Sequence, residues 1–189
     1  MIRFRNILLV VPLLLSVACE EYTPKPRGFF RIEPPKAEYT EFGPDKWPFS
    51  FYVSNQANIN VSDSSKFMFE ANYKDLNAEL YCSYLKVDRS KIEQTLNESR
   101  ELVARQAEQA SAIKEMEFVN EEENVRGYMF LIEGNTVAPI QFSLTDNENK
   151  FFRGALYFNC PINADSLKPV IDYLQKDVEV MIESFKWNK

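Results

Sequence analysis

Cys19, set directly after a short apolar run, constrains this chain more than any other residue. Arg3 and Arg5 make a basic start, Ile7 to Leu15 an apolar stretch, and Ser16-Val17-Ala18 a small-residue approach to the cysteine. That order describes an export signal. The stretch is too short to cross a hydrocarbon core of ~30 Å, which needs roughly 20 residues, and Pro12 weakens any spanning helix. A cysteine at this place is the lipobox arrangement, with Ser16 standing where leucine is most usual. Its thiol takes a diacylglycerol, after which cleavage leaves Cys19 as the first residue. Residues 1–18 are therefore expected to be a signal peptide outside the fold. Several acyl chains, at about 0.8 kcal/mol per buried CH₂, then hold the mature chain to a membrane.

Residues 19–189 suit one globular domain. Hydrophobic residues at 45% and aromatic residues at 14% are enough for a sizeable core. The formal charge of −6 becomes −8 when Arg3 and Arg5 are removed, and an acidic chain lacks the basic footprint of a nucleic-acid binder. Two further cysteines remain, Cys82 and Cys160. Export leads to an oxidising compartment where thiols pair, so these two are a candidate disulfide. Two buried free thiols are the alternative, because spacing says nothing about Cα separation.

Histidine is absent, which excludes Ser-His-Asp and Cys-His catalysis and histidine-based metal sites. No C-x-x-C pair or phosphate-cradling glycine loop occurs, and the whole sequence has only five glycines. Glu121-Glu122-Glu123 between Asn120 and Asn124 matches no calcium loop and reads as a solvated turn. No catalytic residue, cofactor or metal is expected.

From Glu20 to Trp47 the chain carries Pro24, Pro26, Pro34, Pro35 and Pro44. Fixed φ angles and missing N–H donors make this an extended arm, neither helix nor central strand. Its aromatics, among them Phe29, Tyr39 and Phe42, indicate that part of it packs on the domain. Residues 19–47 are thus read as lipidated start and proline-rich tether, and 48–189 as the globular domain. Alternation predicts strands at Phe49–Val53, Lys66–Tyr73 and Leu76–Val87. A helix follows, entered by the capping box of Ser90 and Glu93, with Ile92, Leu96, Val103, Ala107, Ala110 and Ile113 on one face. Strands at Asn124–Glu133, Val137–Thr145 and Lys150–Phe158 come next, the first two joined by a Gly134-Asn135 turn. Leu167, Ile171, Leu174, Val178, Ile182 and Phe185 stripe a closing helix, with Pro169 in its first turn. The expected fold is α+β, a mainly antiparallel sheet with two amphipathic helices packed on it, preceded by the arm.

Arg27-Gly28-Phe29-Phe30-Arg31 and Lys150-Phe151-Phe152-Arg153 each set adjacent phenylalanines between cations. Neighbours on a strand face opposite ways, so one ring of each pair is expected in the core. Arg27, Phe29, Arg31, Phe151 and Arg153 are the candidate interaction surface. Longer words carry a family resemblance: Glu21-Tyr22-Thr23-Pro24-Lys25-Pro26-Arg27-Gly28-Phe29-Phe30-Arg31-Ile32, then Gln141-Phe142-Ser143-Leu144-Thr145-Asp146, then Phe152-Arg153-Gly154-Ala155-Leu156-Tyr157-Phe158, and Ile182-Glu183-Ser184-Phe185-Lys186-Trp187 near the end. In that order, across nearly all of the mature chain, they resemble the gliding motility lipoprotein GldD family. The strand order also resembles the PsbP-like sandwich.

The resemblance implies a palmitate-bearing envelope lipoprotein of gliding Gram-negative bacteria, anchored in the outer membrane and facing the periplasm. It implies a non-enzymatic accessory role in gliding and in type IX protein secretion, with other motility lipoproteins as partners. Only Cys19 carries over as a functional position. The alternative is a lipid-anchored module that binds a small ligand or cell-wall fragment between sheet and helix.

Overall fold

Aromatic and β-branched residues alternate with polar ones along most of the chain, and each such run finds a strand partner. The computed structural model describes residues 36–134, 136–160 and 164–188. Ten strands and two α-helices are present there: β1 (Tyr39–Phe42), β2 (Phe49–Ser54), β3 (Asn58–Asp63), β4 (Met68–Tyr73), β5 (Ala78–Lys86), α1 (Ile92–Gln106), β6 (Ala110–Asn120), β7 (Val125–Gly134), β8 (Ile140–Thr145), β9 (Lys150–Phe158), α2 (Ala164–Glu183) and β10 (Lys186–Trp187). Seven of them form one antiparallel sheet in the order β3-β4-β5-β9-β8-β7-β6, and β1-β2-β10 form a second, small sheet. The expected α+β class, an antiparallel sheet with two helices, holds.

Strand alternation decides which residues meet. One face of the large sheet, here the core face, presents Phe69, Leu80, Cys82, Phe152, Leu156, Ile140, Phe142, Leu144 and Met129. Onto it pack β2, through Phe49 and Phe51, and α2, through Val170, Leu174, Val178, Met181, Ile182 and Phe185. The rings interlock: Phe49 lies 4.8 Å from Phe152, and Phe152 lies 4.9 Å from Phe185. Such pairs contribute about 0.5–1.5 kcal/mol each beyond their burial. Gly154 sits under this layer because a Cβ there would stand 2.3 Å from the Phe142 ring. It marks a close approach, as its place in a strand implied.

The opposite, outer face is covered over only part of its width. Val103 and Ala107 of α1 pack on Phe130 and Ile132 of β7, and Arg100 stacks 4.4 Å over the Tyr128 ring. Toward β3 the same face is open, and Tyr81 and Leu85 are exposed there.

Several local readings are corrected. The first helix does not reach Ile113. It stops at Gln106, with Ala107 N–H closing on Val103 O, and Ala110 begins β6. The long β7 decides this: its open edge pairs from Ala110↔Gly134 to Asn120↔Val125, so tertiary pairing overrides the helical spacing of Ala110 and Ile113. The capping box is not formed, because the chain enters through a 3-10 turn, Arg89–Lys91, and no side chain caps the helix. The β7–β8 connection is also longer than the two-residue turn expected at 134–135. The β7–β8 register runs inward from Leu131↔Ile140, with Pro139 contributing its carbonyl to Ile132 N–H at 2.8 Å and having no N–H to extend the ladder. Pro169 stands inside α2, past its first turn. Strands β1, β3, β6 and β10 were not expected; β1 lies within the proposed arm and pairs with β2 from Tyr39↔Ser54 to Phe42↔Phe51.

Candidate functional site

Chemistry on this chain must come from carboxylates, hydroxyls and amines, and burial decides which of them are unusual. Among the described residues Asp177 on α2 and the turn-forming Asp146 are the buried carboxylates, and Asp177 is the one set in the core. Its Oδ1 accepts the Tyr39 hydroxyl at 2.7 Å, and its Oδ2 is buried without a hydrogen-bond partner. Burial raises its pKa above the usual carboxylate range, opposed by the hydroxyls of Tyr39, Ser54 and Tyr73. Desolvation, then the hydrogen bond to Asp177, raises the Tyr39 phenol as well. This cluster joins β1 to α2 and holds the end of the arm on the domain.

Asp146 has a structural task. Its Oδ1 accepts the backbone N–H groups of Glu148, Asn149 and Lys150, each at 2.9 Å, and thereby builds the β8–β9 turn with Asn147 at positive φ. In the β6–β7 turn Glu123 reaches Lys186 at 3.3 Å and Glu121 reaches Arg126 at 3.9 Å, as a solvated charged loop does. Among the described residues no group of three histidine, cysteine, aspartate or glutamate side chains is placed to hold a metal ion.

A groove of about 430 Å³ lies between α2 and the β6–β7 end of the sheet. Leu131, Pro139 and Ile171 form its apolar part, and Lys114, Glu133, Lys168 and Asp172 its charged part. Lys168 is held by Asp172 at 3.2 Å, one helical turn away. Glu133 and Asp172 are both exposed, so neither has the dry setting that turns a carboxylate into a general acid.

The sequence-predicted residues fall in three groups. Cys19, Arg27, Phe29 and Arg31 lie outside the described residues, as do the expected signal peptide, residues 1–18, and the first part of the expected arm. Phe151 is not a surface residue: both it and Phe152 are buried. Phe151 points to the outer face opposite Leu85 and Thr145 and is 2% exposed, so alternation put it on the second face without leaving it in water. Arg153, on that face, is half-buried. Cys82 and Cys160 are free thiols, which corrects the candidate disulfide. Cys82 pairs in register with Gly154, and Phe158 with Ala78. Four residues along an extended strand at about 3.3 Å each leave Phe158 roughly 13 Å from that position, and Cys160 follows two residues later, whereas a bridge needs Cα atoms within about 7 Å. Burial raises the Cys82 thiol well above its ordinary pKa, so it stays protonated and unreactive. The groove was missed from sequence because it depends on β6, whose first residues carried a helical spacing.

The family profile described as gliding motility lipoprotein GldD matches residues 19–187. The chain belongs to this family. The matched region begins at Cys19 and ends at Trp187 in β10, so it takes in both sheets and both helices. A search of curated proteins found no match. Among solved structures the chain is similar to the solution structure of cyanobacterial PsbP (CyanoP) from Synechocystis sp. PCC 6803, at 10% identity, 87% coverage of this chain, 100% of that one and a TM-score of 0.49. No helix among the described residues is long and apolar enough to cross a membrane.

Proposed function

We propose that this GldD-family chain is a lipid-anchored, non-enzymatic accessory component of the gliding machinery and of the type IX secretion linked to it. Palmitate and diacylglycerol on Cys19 hold it in the outer membrane, with the domain in the periplasm and other motility lipoproteins as its partners. The observation that carries the reading is that the family match starts at Cys19 itself, the residue that the export signal places for acylation. The described residues support a binding role: their buried polar groups build turns or pin strands, and the groove beside α2 is open and mixed in character.

Mild crosslinking in intact cells followed by purification of the tagged chain tests the assembly role. Other envelope motility lipoproteins are the expected products, and recovery of nothing above background sinks it. Replacing Cys19→Ala is expected to abolish palmitate labelling and to release the domain or leave uncleaved precursor; labelling that persists would place the lipid elsewhere.

The groove favours a second reading, a module for a small ligand or cell-wall fragment, because its volume falls in the ~300–1,000 Å³ range of ligand sites. Thermal shift against soluble cell-wall fragments separates the two, since a ligand at 100 times its Kd adds about 2.7 kcal/mol.

A further inference from the structure

A strand at the rim of a sheet carries one row of backbone N–H and C=O groups that its own sheet does not pair. β6 is such a strand, the last in the order of the large sheet. Its one register shift falls at the start, between Ala110 and Ala112; from there to Asn120 nine consecutive residues match β7 without interruption. Its side chains are unfinished on both faces. Met116 and Phe118 on the core face are only half-buried, and Ile113 and Val119 on the outer face are 49% and 50% exposed. Beside Lys114 the groove lies between this strand and α2, with Leu131 and Ile171 among its lining.

We propose that the free edge of β6 takes an extended peptide segment of a partner protein as an eighth strand, with apolar side chains entering the groove and basic side chains on the outer face. Backbone of matching extension is what satisfies a row of strand-edge groups in register. Every second residue of the added strand faces the core side, where Met116, Phe118 and the groove lack cover. The alternate residues face Glu115 and Glu117, which sit between Ile113 and Val119 on the outer face. Glu115 has Arg100 at 3.9 Å and Glu117 accepts the Tyr128 hydroxyl at 3.5 Å, both at the exposed surface, and cross-strand pairs of opposite charge are favourable. An overall side-chain charge of −8 for the mature chain adds to the preference for a basic segment. The inference deepens the assembly role proposed above and rests on it for its biological meaning. Its test uses purified components, so its failure leaves the crosslinking result to judge that role separately.

The test is hydrogen exchange on the full mature chain in detergent, with a nine-residue peptide alternating valine and lysine as the probe. Amides of residues 112–120 are expected to exchange about tenfold more slowly with the peptide present, while those of β3 do not change. A peptide with glutamate in place of lysine, and the double variant Ile113→Lys with Val119→Lys, are each expected to weaken binding about tenfold. The double variant should keep the parent melting temperature, because both residues already face water. The proposal is overturned if β6 gains no protection, or if β3 gains as much. It is equally overturned if β6 is protected without peptide in proportion to protein concentration, because a second copy then occupies the edge.

Discussion

β3 and β6 close the same seven-stranded sheet at opposite ends, and they meet water differently. β3 spans Asn58–Asp63, shifts register between Val61 and Asp63, and is rich in asparagine, serine and aspartate. Its shortness and its bulge spoil it as a template. β6 is 11 residues long, is regular after its first step and carries apolar side chains on both faces. Lys114, Glu115, Glu117 and the start bulge are what guard it. The centre of the sheet, by contrast, is closed on both sides, and β8 is buried at all six positions. A chain that blunts one rim and leaves the other long and regular has kept the second available for pairing.

The contrast can be attacked first at the centre. Phe152→Ala, which removes a ring packed on Phe49, Phe142 and Phe185, is expected to cost about 3–5 kcal/mol in urea unfolding. If the sheet is one cooperative unit, hydrogen exchange at β3 and β6 accelerates together; acceleration at one end alone would divide it. Gly154→Ala drives a methyl into Phe142, and a loss of about 1–3 kcal/mol is expected by the same measurement. Arg100→Ala removes the stacking on Tyr128 and the link to Glu115. An expected loss of about 0.5–1 kcal/mol should loosen exchange in β6 and β7 and leave β3 as it was. Val61→Lys and Val119→Lys, at similar exposure on the two rims, should each stay within about 0.5 kcal/mol of the parent. Only the change on β6 is expected to alter peptide binding.

Asp177 tests the third rim, β1, through pH. Its folded pKa is raised, so folding favours the protonated form, and ionisation weakens the fold progressively as pH rises above the unfolded value of about 4. Asp177→Asn keeps an acceptor for the Tyr39 hydroxyl and loses the buried charge. Its melting temperature is expected to exceed the parent's at neutral pH, with the gap closing on acidification. A gap that does not vary with pH would show that Asp177 is not the group responsible.

Much of this was legible from residue order. Strands at Phe49, Lys66, Leu76, Asn124 and Lys150 follow from period-two alternation with turn residues between, and the α2 stripe from its 3.6-residue spacing. The family was legible from words spread along the chain, and Phe152 was rightly expected in the core. Less was legible at the rims. β3 alternates only Ile59 and Val61 with polar residues, a run too short to stand out from the turn residues around it, and β10 is two residues whose strand state depends on β2. The groove had no local signal at all.

Residue order by itself determined the family, the absence of histidine chemistry, the antiparallel class and the apolar stripe of α2. Each is a property of short windows, where periodicity, charge or side-chain chemistry acts among near neighbours. Tertiary structure alone decided that α1 ends at Gln106, that Ala110–Asn120 becomes a strand, that Cys82 and Cys160 stay apart, that Phe151 is covered and that Asp177 is buried against Tyr39. Those outcomes depend on pairings between residues far apart in the chain. β7 needed a neighbour for its open backbone groups, and the energy of satisfying them outweighed the weak helical preference of the segment that supplied it.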